Sequence, residues 1–275
     1  ASCCNAGPIM KFASFALAAV IFIICLILEI ARPFYSRFYV ERDPALSYPL
    51  VQPQTVPTWL LMILAWFLPA IVLGLLQLLG FFRPVTLPLS SLAAGIIFTN
   101  LVVVMIVDCL KCTCSRLRPN YFALCDYKGY ADVLTGKEGA YDIYMQATLP
   151  GRVGNDEFCR TPNRNAHLSF PSGHTAWSFA SWAFFSYCLV HGMRKRRLPR
   201  IVEICSVLLP FALASWIGCT RIQDYWHNVD DVLAGALIGW ACGWGSFSAI
   251  VAPYFKARDD TQIAFGEIHS PLPAL

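Results

Sequence analysis

Pro88-Leu-Ser-Ser-Leu-Ala-Ala-Gly-Ile-Ile-Phe-Thr-Asn-Leu-Val-Val-Val-Met-Ile-Val-Asp-Cys-Leu110 carries a single charge, Asp108. It runs straight into Lys111-Cys-Thr-Cys-Ser-Arg-Leu-Arg118-Pro119. A helix needs about 20 apolar residues to cross a bilayer, so this stretch reads as a membrane span with cations at its end. Working outward, five more segments qualify: Phe12–Ile30, Trp59–Gly80, Thr175–Gly192, Ile201–Cys219 and Asp231–Val251. The first exceeds the usual signal-peptide core of about 7–15 residues and lacks a small-x-small cleavage site, so it reads as a retained helix.

The expected fold is therefore all-α, a polytopic membrane protein with six transmembrane helices. Composition agrees. Hydrophobic residues make up 57% of the 275-residue chain and charged residues 14%. Soluble domains carry about 45–50% and 25% respectively, so two soluble domains are excluded. The 38 aromatic residues (19 Phe, 11 Tyr, 8 Trp) exclude disorder. The net charge of +4 forms no sustained basic stripe, which excludes a nucleic-acid partner.

Orientation follows from cation placement. Arg194-Lys-Arg-Arg-Leu-Pro-Arg200 holds five cations and should be cytoplasmic. Six crossings then put both termini, 1–11 and 252–275, in the cytoplasm around a membrane domain at 12–251. The loops 32–58, 111–174 and 220–230 fall on the outer side, extracellular or luminal.

Three polar clusters share that outer edge. In the first, Lys111 and Arg118 are seven apart, about two helical turns, and a shared helix face would suit a phosphate. In the second, Pro171-Ser172-Gly173-His174 opens a helix, where free N–H groups and the dipole favour phosphate. In the third, Thr220-Arg221 is followed by His227 and Asp231, four apart and expected on one helical face. An aspartate beside a histidine fixes its tautomer and leaves the other ring nitrogen free as a nucleophile. Membrane-edge snorkelling, an ordinary cap and a capping aspartate explain each cluster alone. Together they supply charge clamps, a nucleophile and an acid, the parts of phosphoryl transfer.

These motifs resemble the type 2 phosphatidic acid phosphatase superfamily, and within it the integral-membrane lipid phosphate phosphatases. The family pattern Lys-x6-Arg-Pro, Pro-Ser-Gly-His, Ser-Arg-x5-His-x3-Asp reads here with Thr220 in place of serine. The resemblance implies that His227 attacks phosphorus, Asp231 orients it and His174 protonates the leaving group. It implies that Lys111, Arg118, Ser172, Gly173 and Arg221 hold phosphate oxygens. It implies no metal and no other cofactor, and a lipid phosphate substrate such as phosphatidic acid. A lipid pyrophosphate phosphatase or phosphotransferase on the same scaffold is the alternative. A non-enzymatic membrane protein or transporter is the other class, but the catalytic positions are filled and the helix centres are apolar.

Asp224 and Asp230 lie beside the site as candidate partners for its cations, and His167 precedes the second cluster. Cys125 and Cys159 fall in the long outer loop, on the oxidising side, and are predicted to form a disulfide. Pairing of either with Cys112 or Cys114 stays open. Cys3 and Cys4 are candidate palmitoylation sites. The particular lipid and the oligomeric state are not written in the sequence; the other partners expected are membrane lipids.

Overall fold

The computed structural model describes residues 19–256, apart from positions 25, 29, 32, 33, 84, 86 and 197. The two terminal tails, with Cys3 and Cys4, lie outside the described residues. So do parts of the first apolar segment, Phe12–Ile30; its described positions contribute a short helix, Ala19–Leu28.

Five long helices build the body, and no strand forms among the described residues. Four are long and apolar enough to cross a membrane: α1 (Thr58–Leu78), α2 (Leu89–Cys114), α4 (Arg200–Gln223) and α5 (Val229–Lys256). The remaining long helix, α3 (Gly173–Arg196), matches the predicted fourth segment but is too polar to meet that measure. Its Ser178, Ser181 and Ser186 are buried, together with Ala176, Ala180 and Ala183, because α3 sits at the centre of the bundle. A helix surrounded by protein can carry hydroxyls so long as they are bonded. Ser178 donates to the His174 carbonyl at 2.8 Å and Ser181 to Asn100 Oδ1 at 3.2 Å. The outer helices instead expose Ile63, Phe67 and Leu75 on α1, Leu208 and Trp216 on α4, and Leu237 and Trp244 on α5. That is the surface a bilayer covers.

The closest packing is between α3 and α5. Gly235, Gly239 and Gly243 recur every fourth residue and line one face of α5. A Cβ at these positions would come within 2.6 Å of the Ser172 carbonyl oxygen, 2.2 Å of Ala176 O and 2.4 Å of Ala180 O. Backbone therefore touches backbone, as small-residue stripes permit between membrane helices. The contacts rise together in both helices, so α3 and α5 run parallel, with the beginning of α3 beside the second turn of α5.

The loops 34–57 and 115–172 fold over these beginnings. Short helices at Tyr121–Leu124 and Tyr130–Leu134 pack a second core of Tyr39, Tyr121, Phe122, Tyr127 and Trp226, and a third, Ala140–Ala147, packs on Tyr130–Leu134. Cys125 and Cys159 are disulfide-bonded to each other within it, so neither pairs with Cys112 or Cys114. Fully buried Glu41 ties the loop before α1 to the long one before α3, accepting from Tyr127 at 2.8 Å and Lys128 at 2.5 Å.

Gly239→Ala should cost about 1–3 kcal/mol through overpacking against the Ala176 carbonyl. Gly245→Ala, with nothing within 4 Å of the added carbon, should be nearly neutral. Thermal unfolding of the two variants in detergent checks this; equal melting temperatures would contradict the close α3–α5 contact.

Candidate active site

A cavity of about 460 Å³ opens at the beginnings of α3 and α5. Lys111, Arg118, Gly173, His174, Arg221 and His227 line one end of it. Three separate stretches of sequence thus meet in one chamber. The other end is walled by Leu61, Trp66, Leu101, Val104 and Trp177.

Lys111 and Arg118 do not share a helix face. α2 ends at Cys114, and Ser115 takes a left-handed conformation with φ 44°. Its N–H closes the helix on the Lys111 carbonyl at 2.9 Å. Arg118 therefore approaches from the loop beyond. Its Nε donates to Asn165 O at 2.7 Å, Nη1 to Trp226 O at 2.8 Å, and Nη2 to Asn165 Oδ1 at 2.9 Å and Leu168 O at 3.2 Å. Nη1 also lies 3.2 Å from His227 Nε2. This buried guanidinium pins the Asn165–Leu168 segment and the α4–α5 link together around the cavity.

His227 and Asp231 do not share a helix face either. α5 starts at Val229, with Asn228 as its N-cap, so His227 precedes the helix. Asp231 is the third helical residue and closes a capping box: Oδ2 accepts from Asn228 N at 2.9 Å. The same oxygen accepts from Ser169 Oγ at 2.6 Å and faces His227 Nδ1 at 3.6 Å. Oδ1 accepts from Arg116 at 2.9 Å, and Arg116 also pairs with Asp230. The carboxylate favours a proton on Nδ1, and the Arg118 donor favours the lone pair on Nε2. Both partners select the tautomer whose Nε2 is a nucleophile. Burial, reinforced by Arg118, pushes the His227 pKa down to about 3 against the pull of Asp231. The ring is therefore neutral at ordinary pH.

Arg221, buried, donates to Asp224 at 2.9 Å, Thr220 at 3.0 Å and Gln54 at 2.8 Å. Asp224 is held in turn by Thr55 N and Oγ1, at 2.8 and 2.7 Å. Gly173 leaves room for Lys111, whose Nζ would lie 3.1 Å from an added Cβ. His174 Nε2 is buried with no hydrogen-bond partner.

Ser172 stands apart from the other candidates: it is buried behind the wall, not on it. Its N–H donates to the Asp231 carbonyl at 2.9 Å and its hydroxyl meets Thr175 Oγ1 at 3.0 Å. His167 is not part of the cavity lining; it stacks on Phe34 at 4.2 Å and lies 3.7 Å from Asp156. Two residues about Asp231 were not singled out by sequence, Arg116 and Ser169. Arg116 stands inside the first motif and Ser169 just before the second, but nothing in the spacing pairs them with a carboxylate over sixty residues away.

The chain is similar to known lipid phosphatases. The PAP2 superfamily matches residues 88–254. Lipid phosphate phosphatase 1 of Arabidopsis thaliana is 32% identical over 252 residues, 85% of this chain and 69% of that protein. Probable diacylglycerol pyrophosphate phosphatase 1 of Schizosaccharomyces pombe is 31% identical over 224 residues, 80% of this chain and 74% of that protein. Human Phospholipid phosphatase 2 is 28% identical over 156 residues, 56% of this chain and 48% of that protein. No solved structure matches the chain.

The buried neutral state of His227 has a pH signature. Its folded pKa of about 3 lies below the unfolded value of about 6.5. On acidification through that window the unfolded chain gains a proton that the folded one does not, so this group lowers stability as pH falls from 6.5. His227→Asn removes that contribution. Its melting temperature should fall less than the wild type's between pH 7 and pH 5; equal falls would contradict a buried neutral imidazole.

Proposed function

Since the chain belongs to the PAP2 superfamily, we propose that it is an integral-membrane lipid phosphate phosphatase acting on phosphate monoesters such as phosphatidic acid. The observation that carries this reading is one cavity with two histidines and three cations at one end and apolar walls at the other. A phosphate headgroup matches the first end and an acyl chain the second.

In the proposed reaction, His227 Nε2 attacks phosphorus as the bond to the ester oxygen breaks. The electron pair leaves on that oxygen, which takes a proton from His174, an imidazolium once the anionic phosphate fills the cavity, and departs as diacylglycerol. Asp231 stabilises the cationic imidazole. Arg116 and Ser169, which bond Asp231 and not the cavity, are positioning residues. Lys111, Arg118, Arg221 and the Gly173 N–H offset the charge on the phosphoryl oxygens. Ser172 would join them by turning its hydroxyl away from Thr175. A water then attacks the phosphohistidine, giving its proton to His174, and the P–N bond breaks to release phosphate.

The same reading assigns six crossings, with Phe12–Ile30 first and α3 fourth, in a domain spanning 12–251. The cavity faces the extracellular or luminal side, and the basic 194–200 link and both termini are cytoplasmic. The positive link and the oxidised Cys125–Cys159 pair, at opposite ends of the bundle, support this orientation. A second reading, release of the terminal phosphate of diacylglycerol pyrophosphate, is favoured by the likeness to the fission-yeast probable diacylglycerol pyrophosphate phosphatase. The same nucleophile and clamps would serve it.

Purified protein in mixed micelles should release phosphate from phosphatidic acid, and activity should persist in EDTA because protein cations do the clamping. His227→Ala should abolish turnover. His174→Ala should slow an alkyl phosphate by about 10²–10⁴-fold and a nitrophenyl phosphate much less. Equal losses on both esters would contradict His174 as the acid, and an absolute magnesium requirement would contradict the clamp.

A further inference from the structure

The loop before α1 reaches the phosphate end of the cavity. Gln54 lines the same chamber as Arg221, although it lies outside residues 88–254, which match the superfamily. Neither Gln54 nor its neighbour Thr55 belongs to the three motifs. Both are tied to the end of α4. Gln54 Oε1 accepts from Arg221 Nη1 at 2.8 Å. Thr55 donates twice to Asp224, from its N–H to Oδ2 at 2.8 Å and from its hydroxyl to Oδ1 at 2.7 Å. Asp224 Oδ2 also accepts from Arg221 Nη2 at 2.9 Å. Arg221, Asp224, Thr55 and Gln54 thus close a ring of contacts between the loop and the helix.

The ring sets both the place and the charge of the clamp. An arginine fork can bond one carboxylate through two nitrogens at once. Such a grip by Asp224 would turn the guanidinium toward it and offset its charge. Thr55 takes Oδ1, so Asp224 meets Arg221 through one oxygen. Nη1 goes to Gln54 instead, and an amide oxygen is a neutral acceptor. Among the described residues, Asp224 is the one carboxylate that pairs with Arg221. A buried cation held partly by neutral acceptors keeps charge to offer an incoming anion.

We propose that Gln54 is a positioning residue for the phosphate clamp, fixing the Arg221 guanidinium in the cavity wall while leaving its charge for the phosphoryl oxygens. This rests on the phosphatase reading and gives the loop before α1 a part in the same site. The probe is orthovanadate, a phosphate mimic. Its affinity is read from the rise in melting temperature of the purified full chain, beside kcat/KM for phosphatidic acid. Gln54→Met keeps the length and removes the acceptor. It should weaken vanadate binding and lower kcat/KM about 10- to 100-fold, the scale of one hydrogen bond to a charged group. Gln54→Glu keeps an acceptor but sets a second carboxylate on Arg221, and should also bind vanadate more weakly than the wild type. In an Arg221→Lys background, Gln54→Met should cost less than about 3-fold, because its effect runs through the guanidinium. An equal loss in both backgrounds overturns the inference, and so does wild-type vanadate affinity in either single variant. Should Arg221→Lys fail to fold, the two single variants still decide. A wild type that neither binds vanadate nor hydrolyses phosphatidic acid overturns the phosphatase reading, and this inference with it. A wild type that does both, with Gln54 variants that match it, overturns this inference alone.

Discussion

The site depends on the contact between α3 and α5. Three glycines four residues apart let two helix backbones meet, and the parallel direction sets the beginning of α3 beside the second turn of α5. The Ser172 N–H then reaches the Asp231 carbonyl at 2.9 Å. His174 follows Ser172 by two residues and His227 precedes the α5 cap by one, so this bond sets the two histidines across a cavity. A side chain in the seam would separate them. Asp231 serves twice, closing the helix cap and facing the His227 ring. The fold and the orientation of the imidazole therefore rely on one carboxylate.

Holding cations at the membrane edge without substrate is a problem of desolvation. The protein meets it with hydrogen bonds. Arg118 is surrounded by the carbonyls of Asn165, Leu168 and Trp226, and Arg221 by Asp224, Thr220 and Gln54. Most of these partners come from the loops between the helices, which fold down over the helix ends. The Cys125–Cys159 bridge lies in the segment joining Arg118 to the α3 beginning and restricts that tether.

Much of this was legible in the residues. Length and apolarity mark α1, α2, α4 and α5, since lipid contact leaves a compositional trace. α3 is marked less well, because a central helix faces protein and tolerates serine. The motif residues were legible as a set, but the local geometry assigned to them was not. Lys111 to Arg118 and His227 to Asp231 looked like helix-face pairs; a left-handed Ser115 and an Asn228 cap end or begin the helices between them. Both pairs still converge, through tertiary packing that spacing does not encode. Arg116 and Ser169 were hidden for the same reason, as their link to Asp231 exists only in the folded chain.

The central claim is that His227, held neutral and oriented by Asp231, takes the phosphoryl group. Rapid quenching of the protein with phosphatidic acid labelled in its phosphate tests it directly. The account predicts an acid-labile, base-stable phosphoenzyme, with the label on the peptide containing His227. Label on a carboxylate or serine, or phosphate release with inverted configuration at a chiral phosphorus, would contradict it.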